Sequence, residues 1–377
     1  MSGLYIHIPF CLSKCAYCGF YSIPSAKRKA EFLEALKQEI VSRKDYLRGE
    51  KVETVYFGGG TPSILNMEEI RSVLAVLSTC FEIDPEAEIT LEANPDTLSL
   101  EYLVALRKLG VNRLSIGIQS FFDNDLRYLS RRHDSQHARQ CVAWAKEAGF
   151  ENISLDLIYG LPTSDADQWN RNLDLFFAMD VPHLSAYALT LEPNSILTKQ
   201  IEMGKALPVN EEDALRDYEI LCRRAAENGF LHYEISNFCK PGMHSRHNSN
   251  YWFGIPYAGF GPSAHSYDGV SRQWNGASLE GYVGNGERKT ENGELFEMEM
   301  LSPEQQFDEY VMLRLRTMWG IDLKYLKREM GERFSSYCEQ KAQPLVEQGC
   351  LSRTREFLYL NNDQMLFADG IAEELFW

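Results

Sequence analysis

The chain has 377 residues, with 38 Lys and Arg against 54 Asp and Glu, for a formal net charge of -16. That length exceeds one ordinary core and predicts a large domain plus a smaller one. The acidic excess disfavours a nucleic-acid backbone as the main partner, because such a surface repels phosphates.

Hydrophobic residues at 44% and charged residues at 24% read as a soluble globular protein. No basic n-region leading into an apolar run opens the sequence, and no run of about 20 apolar residues follows, so a cytosolic or similarly reducing location is expected. The nine cysteines, an odd number, argue against a disulfide framework. Six of them, Cys80, Cys141, Cys222, Cys239, Cys338 and Cys350, are scattered and read as buried free thiols.

In chain order, "LYIHIPF", "KVETVYF", "EAEITLEANP", "VNRLSIGIQS", "NISLDLIYG" and "HLSAYALTLEP" are rich in β-branched and aromatic residues and predict six strands. Helical patterns lie between most of them. In "SLEYLVALRKLG", Leu103, Leu106 and Leu109 share a face and Gly110 suits the helix end. "SQHARQCVAWAKEAGF" and "DADQWNRNLDLFFAMD" repeat the theme. This alternation predicts an α/β fold of parallel βα units, and six units suit an open partial barrel better than a closed eight-unit one. Polar or Gly-rich segments end the strands, as in "CLSKCAYC", "GGGTPS", "EANP", "GIQS" and "DLIYGLP", and that edge is where parallel barrels bind ligands.

Past about residue 205 the pattern changes. "EEDALRDYEILCRRAAENGF" reads as a long helix, followed by "HYEISNFCK", the His- and Asn-rich "MHSRHNSNYWFG" and the Gly- and aromatic-rich "IPYAGFGPSAHSYDG". From about Glu297, helical segments precede "LSRTREFLYLN", which predicts a small, mainly helical, winged-helix-like terminal domain roofing the barrel. The expected divisions are residues 1–240 for the barrel, 241–290 for a connecting segment and 291–377 for the terminal domain.

Cys11, Cys15 and Cys18 fall within eight residues on the loop after the first strand. Structural zinc takes four ligands, usually in two separated pairs, and no second pair is spaced for it. A four-iron four-sulfur cluster also takes four, so three thiolates leave one iron open to a reactant. Three unrelated core thiols, or zinc completed by a distant His, are the structural alternatives.

C-x-x-x-C-x-x-C after a first strand and "GGGTP" after a second resemble the radical S-adenosylmethionine (SAM) superfamily over roughly residues 1–240. The resemblance implies a partial (β/α)6 barrel in which Cys11, Cys15 and Cys18 hold a 4Fe-4S cluster and SAM chelates its open iron. Tyr17 would lie against the adenine, and Gly59, Gly60 and Thr61 would meet the methionine amino group, where glycines let backbone approach closely. "LEANP", "IGIQSF", "SRRH" and "DLIYGLP" resemble the coproporphyrinogen dehydrogenase-like (HemN-like) branch, which implies SAM contacts from Glu92, Gln119, Arg131 and Asp156. Asp156 and Gln119 suit ribose hydroxyls and Arg131 suits a carboxylate, with neighbouring Arg132 as its rival.

Two departures bear on activity. The dehydrogenases of that branch carry a further Cys two positions past the triad, where this chain has Phe20, and a longer segment before the cluster. "HNSNYW", residues 247–252, resembles the signature of the HemW-type heme chaperones, a sister group. That resemblance implies heme as cargo, delivered to cytosolic or membrane-bound apo-hemoproteins such as respiratory enzymes, and a homodimer dependent on the cluster. His247 is the candidate axial ligand, and Tyr251 and Trp252 could pack on the porphyrin. His247 could equally be a hydrogen-bonded structural residue, with His244, His232 or Cys239 as the ligand. The competing expectations are an oxygen-independent coproporphyrinogen III dehydrogenase and a radical enzyme that modifies heme.

Overall fold

The computed structural model describes residues 1–193, 195–284 and 296–377. The six expected strands are present: β1 (Ser2–Ile8), β2 (Val52–Gly59), β3 (Ile83–Ala93), β4 (Arg113–Gln119), β5 (Asn152–Tyr159) and β6 (His183–Ala188). They pair in parallel and in sequence order. Helices Lys29–Ser42, Met67–Cys80, Leu100–Lys108, Ser135–Glu147 and Ala166–Ala178 supply the crossovers. In Leu100–Lys108 the Ser99 side chain caps the first turn, Leu103 and Leu106 are buried, and Gly110 follows at φ +96°. A left-handed residue just past the last turn ends a helix, and Gly takes that conformation without a Cβ clash.

Two sets of side chains alternate along the strands. Leu4, Ile6 and Ile8 of β1, Val55 and Phe57 of β2, Leu114 and Ile116 of β4, and Leu155 and Leu157 of β5 join the apolar core with the helices. The intervening residues are polar: Tyr5 and His7, Thr54 and Tyr56, Glu88, Thr90 and Glu92, Arg113 and Ser115, Ser154 and Asp156. They bond to one another across strands, as in Ser115 to Asp156 (3.1 Å), Tyr56 to Glu92 (2.7 Å) and Ser154 with His183 (2.7 Å). This face is therefore the interior of the barrel, and it is built to receive polar groups rather than packed shut with aliphatic side chains.

The sheet continues beyond the six strands. Past β6 come β8 (Asn237–Cys239) and β7 (Leu231–Glu234), both antiparallel. Beside β1, β9 (Tyr257–Phe260) pairs in parallel, and β10 (His265–Tyr267), β11 (Ser271–Asn275) and β12 (Phe296–Met300) follow antiparallel. The segment expected as a connector thus supplies three strands to the barrel sheet, and its expected boundary at residues 290 and 291 lies outside the described residues. The six scattered cysteines are free, as expected; Cys141, Cys239 and Cys338 are buried, and Cys80, Cys222 and Cys350 only half-buried.

The terminal domain has its own core around Phe307, Val311, Leu326, Phe334, Cys338 and Leu358. It consists of helices Pro303–Leu315 and Glu332–Glu347, shorter helical turns, and a three-stranded antiparallel sheet of β13 (Ile321–Asp322), β14 (Ser352–Arg353) and β15 (Phe357–Tyr359), which is the winged-helix-like content expected. It is tied to the barrel through Ile235 N–H to the Arg316 carbonyl (3.1 Å), Met318 N–H to the Tyr233 carbonyl (3.0 Å) and a two-point Arg272–Glu309 ion pair (2.7 and 2.8 Å). No helix among the described residues is long and apolar enough to cross a membrane.

Candidate cofactor site

Parallel pairing puts the carboxyl ends of the strands in one row: Ile8 beside Gly59, Ala93 beside Ile116, and Gly117 beside Asp156. A cavity of about 390 Å³ opens at this edge. Cys11, Cys15, Cys18, Tyr17, Gly59, Gly60, Thr61, Glu92, Gln119, Arg131 and Asp156 all line it. Sequence positions spread over about 145 residues therefore meet at one mouth.

The cysteine loop is pinned at several points. Cys11 N–H donates to the Ile23 carbonyl (3.0 Å), Ala16 N–H to Leu129 (3.2 Å), and Gly60 and Thr61 N–H reach back to Ile8 and Phe10 (both 2.8 Å). A Cβ on Gly60 would come within 2.7 Å of the Phe10 carbonyl and 3.1 Å of the Cys11 sulfur, so only glycine fits there. Thr61 Oγ1 donates to Cys11 Sγ and Arg131 Nη1 to Cys15 Sγ, each at 3.3 Å. Burial pushes the Cys11 and Cys18 thiols up, so a bound cation is what would make them thiolates.

Arg131 Nη2 donates to Asn94 Oδ1 and the Gly117 carbonyl, both at 2.6 Å, and Asn94 Nδ2 donates to Thr61 Oγ1 at 3.0 Å. Arg131 Nε is buried and has no hydrogen-bond partner among the described residues. Arg132 instead pairs with Asp96 at 3.3 Å, is half exposed and does not line the cavity. Glu92 accepts from Tyr56 (2.7 Å) and Gly59 N–H (3.1 Å), and burial raises its pKa from 4.5 to about 7. Asp156 is likewise raised by burial. Gln119 sits at φ +67° beside a register slip in β4, a strained conformation for a non-glycine residue that recurs at ligand sites.

These residues fit a 4Fe-4S cluster with SAM on its open iron. Among the described residues no three His, Cys, Asp or Glu groups converge as a single-ion site does. A cubane takes each thiolate on a different iron, so its ligands need not meet at one point, and zinc is the poorer fit. The buried spare N–H of Arg131 and the glycine-lined floor suit a carboxylate and a closely approaching ligand. Asn94, which links Arg131 to Thr61, was legible only as the polar end of "EANP"; its role needs the contact across strands.

A second cavity, of about 840 Å³, lies between the barrel and the terminal domain. Twelve of its twenty-seven lining residues are Phe, Tyr or Trp, against 12% of the whole chain, so its wall is selected for aromatic faces. Phe20, Glu92 and Tyr187 line both cavities and form the partition between them. Phe20 is 70% exposed, the outermost part of that partition.

"HNSNYW" folds as the helix Arg246–Trp252. Glu88 accepts from the N–H groups of Arg246 (3.1 Å) and His247 (3.0 Å), anchoring the helix start inside the barrel. His247 is buried and its ring stacks on Tyr56 at 4.9 Å. Its Nδ1 pairs with Thr54 Oγ1 and its Nε2 with Tyr251 Oη, both at 2.8 Å, so an axial role would require it to give up one of these bonds. His244, His232 and Cys239 are not among the residues that line the aromatic cavity. Trp252 and Tyr251 do line it.

The radical SAM superfamily model matches residues 5–176, and the HemN C-terminal domain model matches residues 301–367. The chain is 33% identical over 376 residues to the heme chaperone HemW of Bacillus subtilis, covering 98% of both chains. It is 33% identical to the heme chaperone HemW of Mycobacterium tuberculosis over 99% of this chain and 94% of that one. To the heme chaperone HemW of Escherichia coli it is 36% identical over 70% of this chain and 69% of that one. Among solved structures, coproporphyrinogen III oxidase (HemN) from Escherichia coli superposes with a TM-score of 0.85 at 24% identity, over 99% of this chain and 89% of that one, a likeness of fold.

Proposed function

The chain belongs to the HemW heme chaperone family within the radical SAM superfamily, and from that premise we propose that it binds heme in the aromatic cavity and passes it to apo-hemoproteins. The observation that carries the reading is the partition: an aromatic cavity large enough for a planar macrocycle shares Phe20, Glu92 and Tyr187 with the cluster cavity. When bound, the cluster supplies a single electron and SAM on its open iron a source of the deoxyadenosyl group. Arg131 and Thr61 orient the cysteine loop through their bonds to Cys15 and Cys11, and Asn94 ties the two together. Loading of that site is thereby coupled to the wall of the heme cavity, which suits control of heme release.

The recipients we assign are cytosolic and membrane-bound apo-hemoproteins, including respiratory enzymes, with the chaperone acting in the cytoplasm as a cluster-dependent homodimer. The alternative, oxidative decarboxylation of coproporphyrinogen III, finds Phe20 where the resembling dehydrogenases have a further Cys.

Two anaerobic assays separate these functions. Reconstituted protein given hemin and an apo-hemoprotein should yield the holo-hemoprotein, and the same protein given SAM, reductant and coproporphyrinogen III should yield no protoporphyrinogen IX. Protoporphyrinogen IX in the second assay, or no hemin binding in the first, refutes the chaperone function.

A further inference from the structure

Three imidazoles line the aromatic cavity, and the fold uses both nitrogens of two of them. His7 pairs through Nδ1 with Tyr5 Oη (3.1 Å) and through Nε2 with the Tyr21 carbonyl (3.0 Å). His247 is paired at both nitrogens with Thr54 and Tyr251. His265, on β10, differs: Nδ1 meets the Ser263 carbonyl at 3.2 Å, and Nε2 has no hydrogen-bond partner among the described residues. A carbonyl oxygen only accepts, so Nδ1 carries the proton and Nε2 presents its lone pair. That is the arrangement of metal-ligating histidines, whose second nitrogen donates to a carbonyl that fixes tautomer and ring orientation.

The surroundings orient the ring and favour its neutral form. Ser263 sits at φ +64°, a left-handed conformation for a non-glycine residue, in the turn that carries its carbonyl to the imidazole. His265 pairs with Trp274 across β10 and β11, and the two rings lie 6.2 Å apart at 27°. His265 is exposed at the cavity's edge; partial desolvation and Arg272, which lines the same cavity, lower its pKa, and the bond to the Ser263 carbonyl works against them. The phenols of Tyr251, Tyr257 and Tyr267 are pushed up by burial and stay protonated, which makes them poor ligands beside a free imidazole.

We propose that His265 Nε2 is the axial ligand to the iron of heme held in the aromatic cavity, and that His247 instead fastens the helix Arg246–Trp252 into the barrel. This rests on the heme-binding function above. Hemin and iron-free protoporphyrin IX, titrated into the cluster-containing protein, separate coordination from packing. In His265→Ala the histidine-ligated heme spectrum, read by magnetic circular dichroism and electron paramagnetic resonance, should disappear and hemin affinity should fall at least about tenfold. Protoporphyrin IX binding and the iron-sulfur absorbance should stay unchanged. In His265→Gly, added imidazole should restore the wild-type heme spectrum.

A His265→Ala protein that keeps the wild-type heme spectrum and affinity overturns the assignment while leaving the chaperone function standing. Equal loss of hemin and protoporphyrin IX binding also overturns it, since the residue would then act by packing. If the wild-type protein binds no hemin, the function beneath falls and the ligand assignment falls with it.

Discussion

Thr54→Val tests what His247 does. Thr54 is fully buried on β2, and its hydroxyl pairs with His247 Nδ1 at 2.8 Å, with Asn250 Nδ2 a weaker contact at 3.4 Å. Val has nearly the same shape, so no cavity opens, and the loss is the hydrogen bond itself. A buried polar atom left without its partner costs about 1–3 kcal/mol, so we expect a loss near 2 kcal/mol. Burial already lowers the His247 pKa to about 3, so the ring stays neutral at pH 7 and cannot recover the loss by protonation. Urea unfolding of the cluster-loaded protein, followed anaerobically by tryptophan fluorescence, measures the change. Tyr251→Phe should behave alike, and the double variant should be non-additive because both act on one ring. Hemin should still bind with the wild-type spectrum. Unchanged stability with a lost heme spectrum would refute the reasoning, since His247 would then be a ligand that Thr54 merely orients.

Other outcomes follow from the same geometry. Cys11→Ala, Cys15→Ala or Cys18→Ala should each abolish the iron-sulfur absorbance after reconstitution. Arg131→Met should lower SAM affinity by about tenfold or more in equilibrium dialysis, since a charge-assisted donor is lost, and should weaken cluster loading, since the bond to Cys15 goes with it; unchanged SAM affinity would count against the role. Gly60→Ala drives a Cβ to 2.7 Å from the Phe10 carbonyl, so cluster loading should fall sharply, and wild-type loading would contradict the tight loop. Glu92 makes the ligand-free fold pH-dependent. Its pKa is raised from 4.5 to about 7, so the fold binds the proton more tightly than the unfolded chain, and its contribution is present below pH 4.5 and lost as pH rises to about 7. At about 1.4 kcal/mol per pH unit this amounts to at most about 3 kcal/mol, lessened by water reaching Glu92 from both cavities. Denaturation of Glu92→Gln should lack that decline, and a wild-type pH slope in the variant would count against it.

The strand and helix periodicities, the cysteine spacing and the polar strand ends were all legible because each is local. An alternating strand shows which side chains share a face, while Glu92, Gln119 and Asp156 were named through the motifs that resemble the HemN-like branch. Asn94 was not legible, and the SRRH motif names Arg131 while leaving Arg132 as its rival. Two adjacent arginines look alike until one is buried against Asn94 and Gly117 and the other is paired with Asp96. The strands β9 to β11 were hidden because their runs are short, and strand pairing depends on partners more than on propensity.

Cysteine spacing, the GGGTP run and strand periodicity are local, so three thiols on a loop after a strand, glycines that admit a close ligand, and the resemblance to radical SAM proteins could all be read without a fold. Which cavity-lining histidine keeps an unpaired ring nitrogen among the described residues was settled only by the tertiary structure. His247 stands out in a motif, while His265 lies in the Gly- and aromatic-rich run "IPYAGFGPSAHSYDG" that assigns it no role, and nothing local separates them. Hydrogen bonding does, because Thr54, nearly two hundred residues away, and Tyr251 together occupy both nitrogens of one ring, while a single backbone carbonyl engages the other.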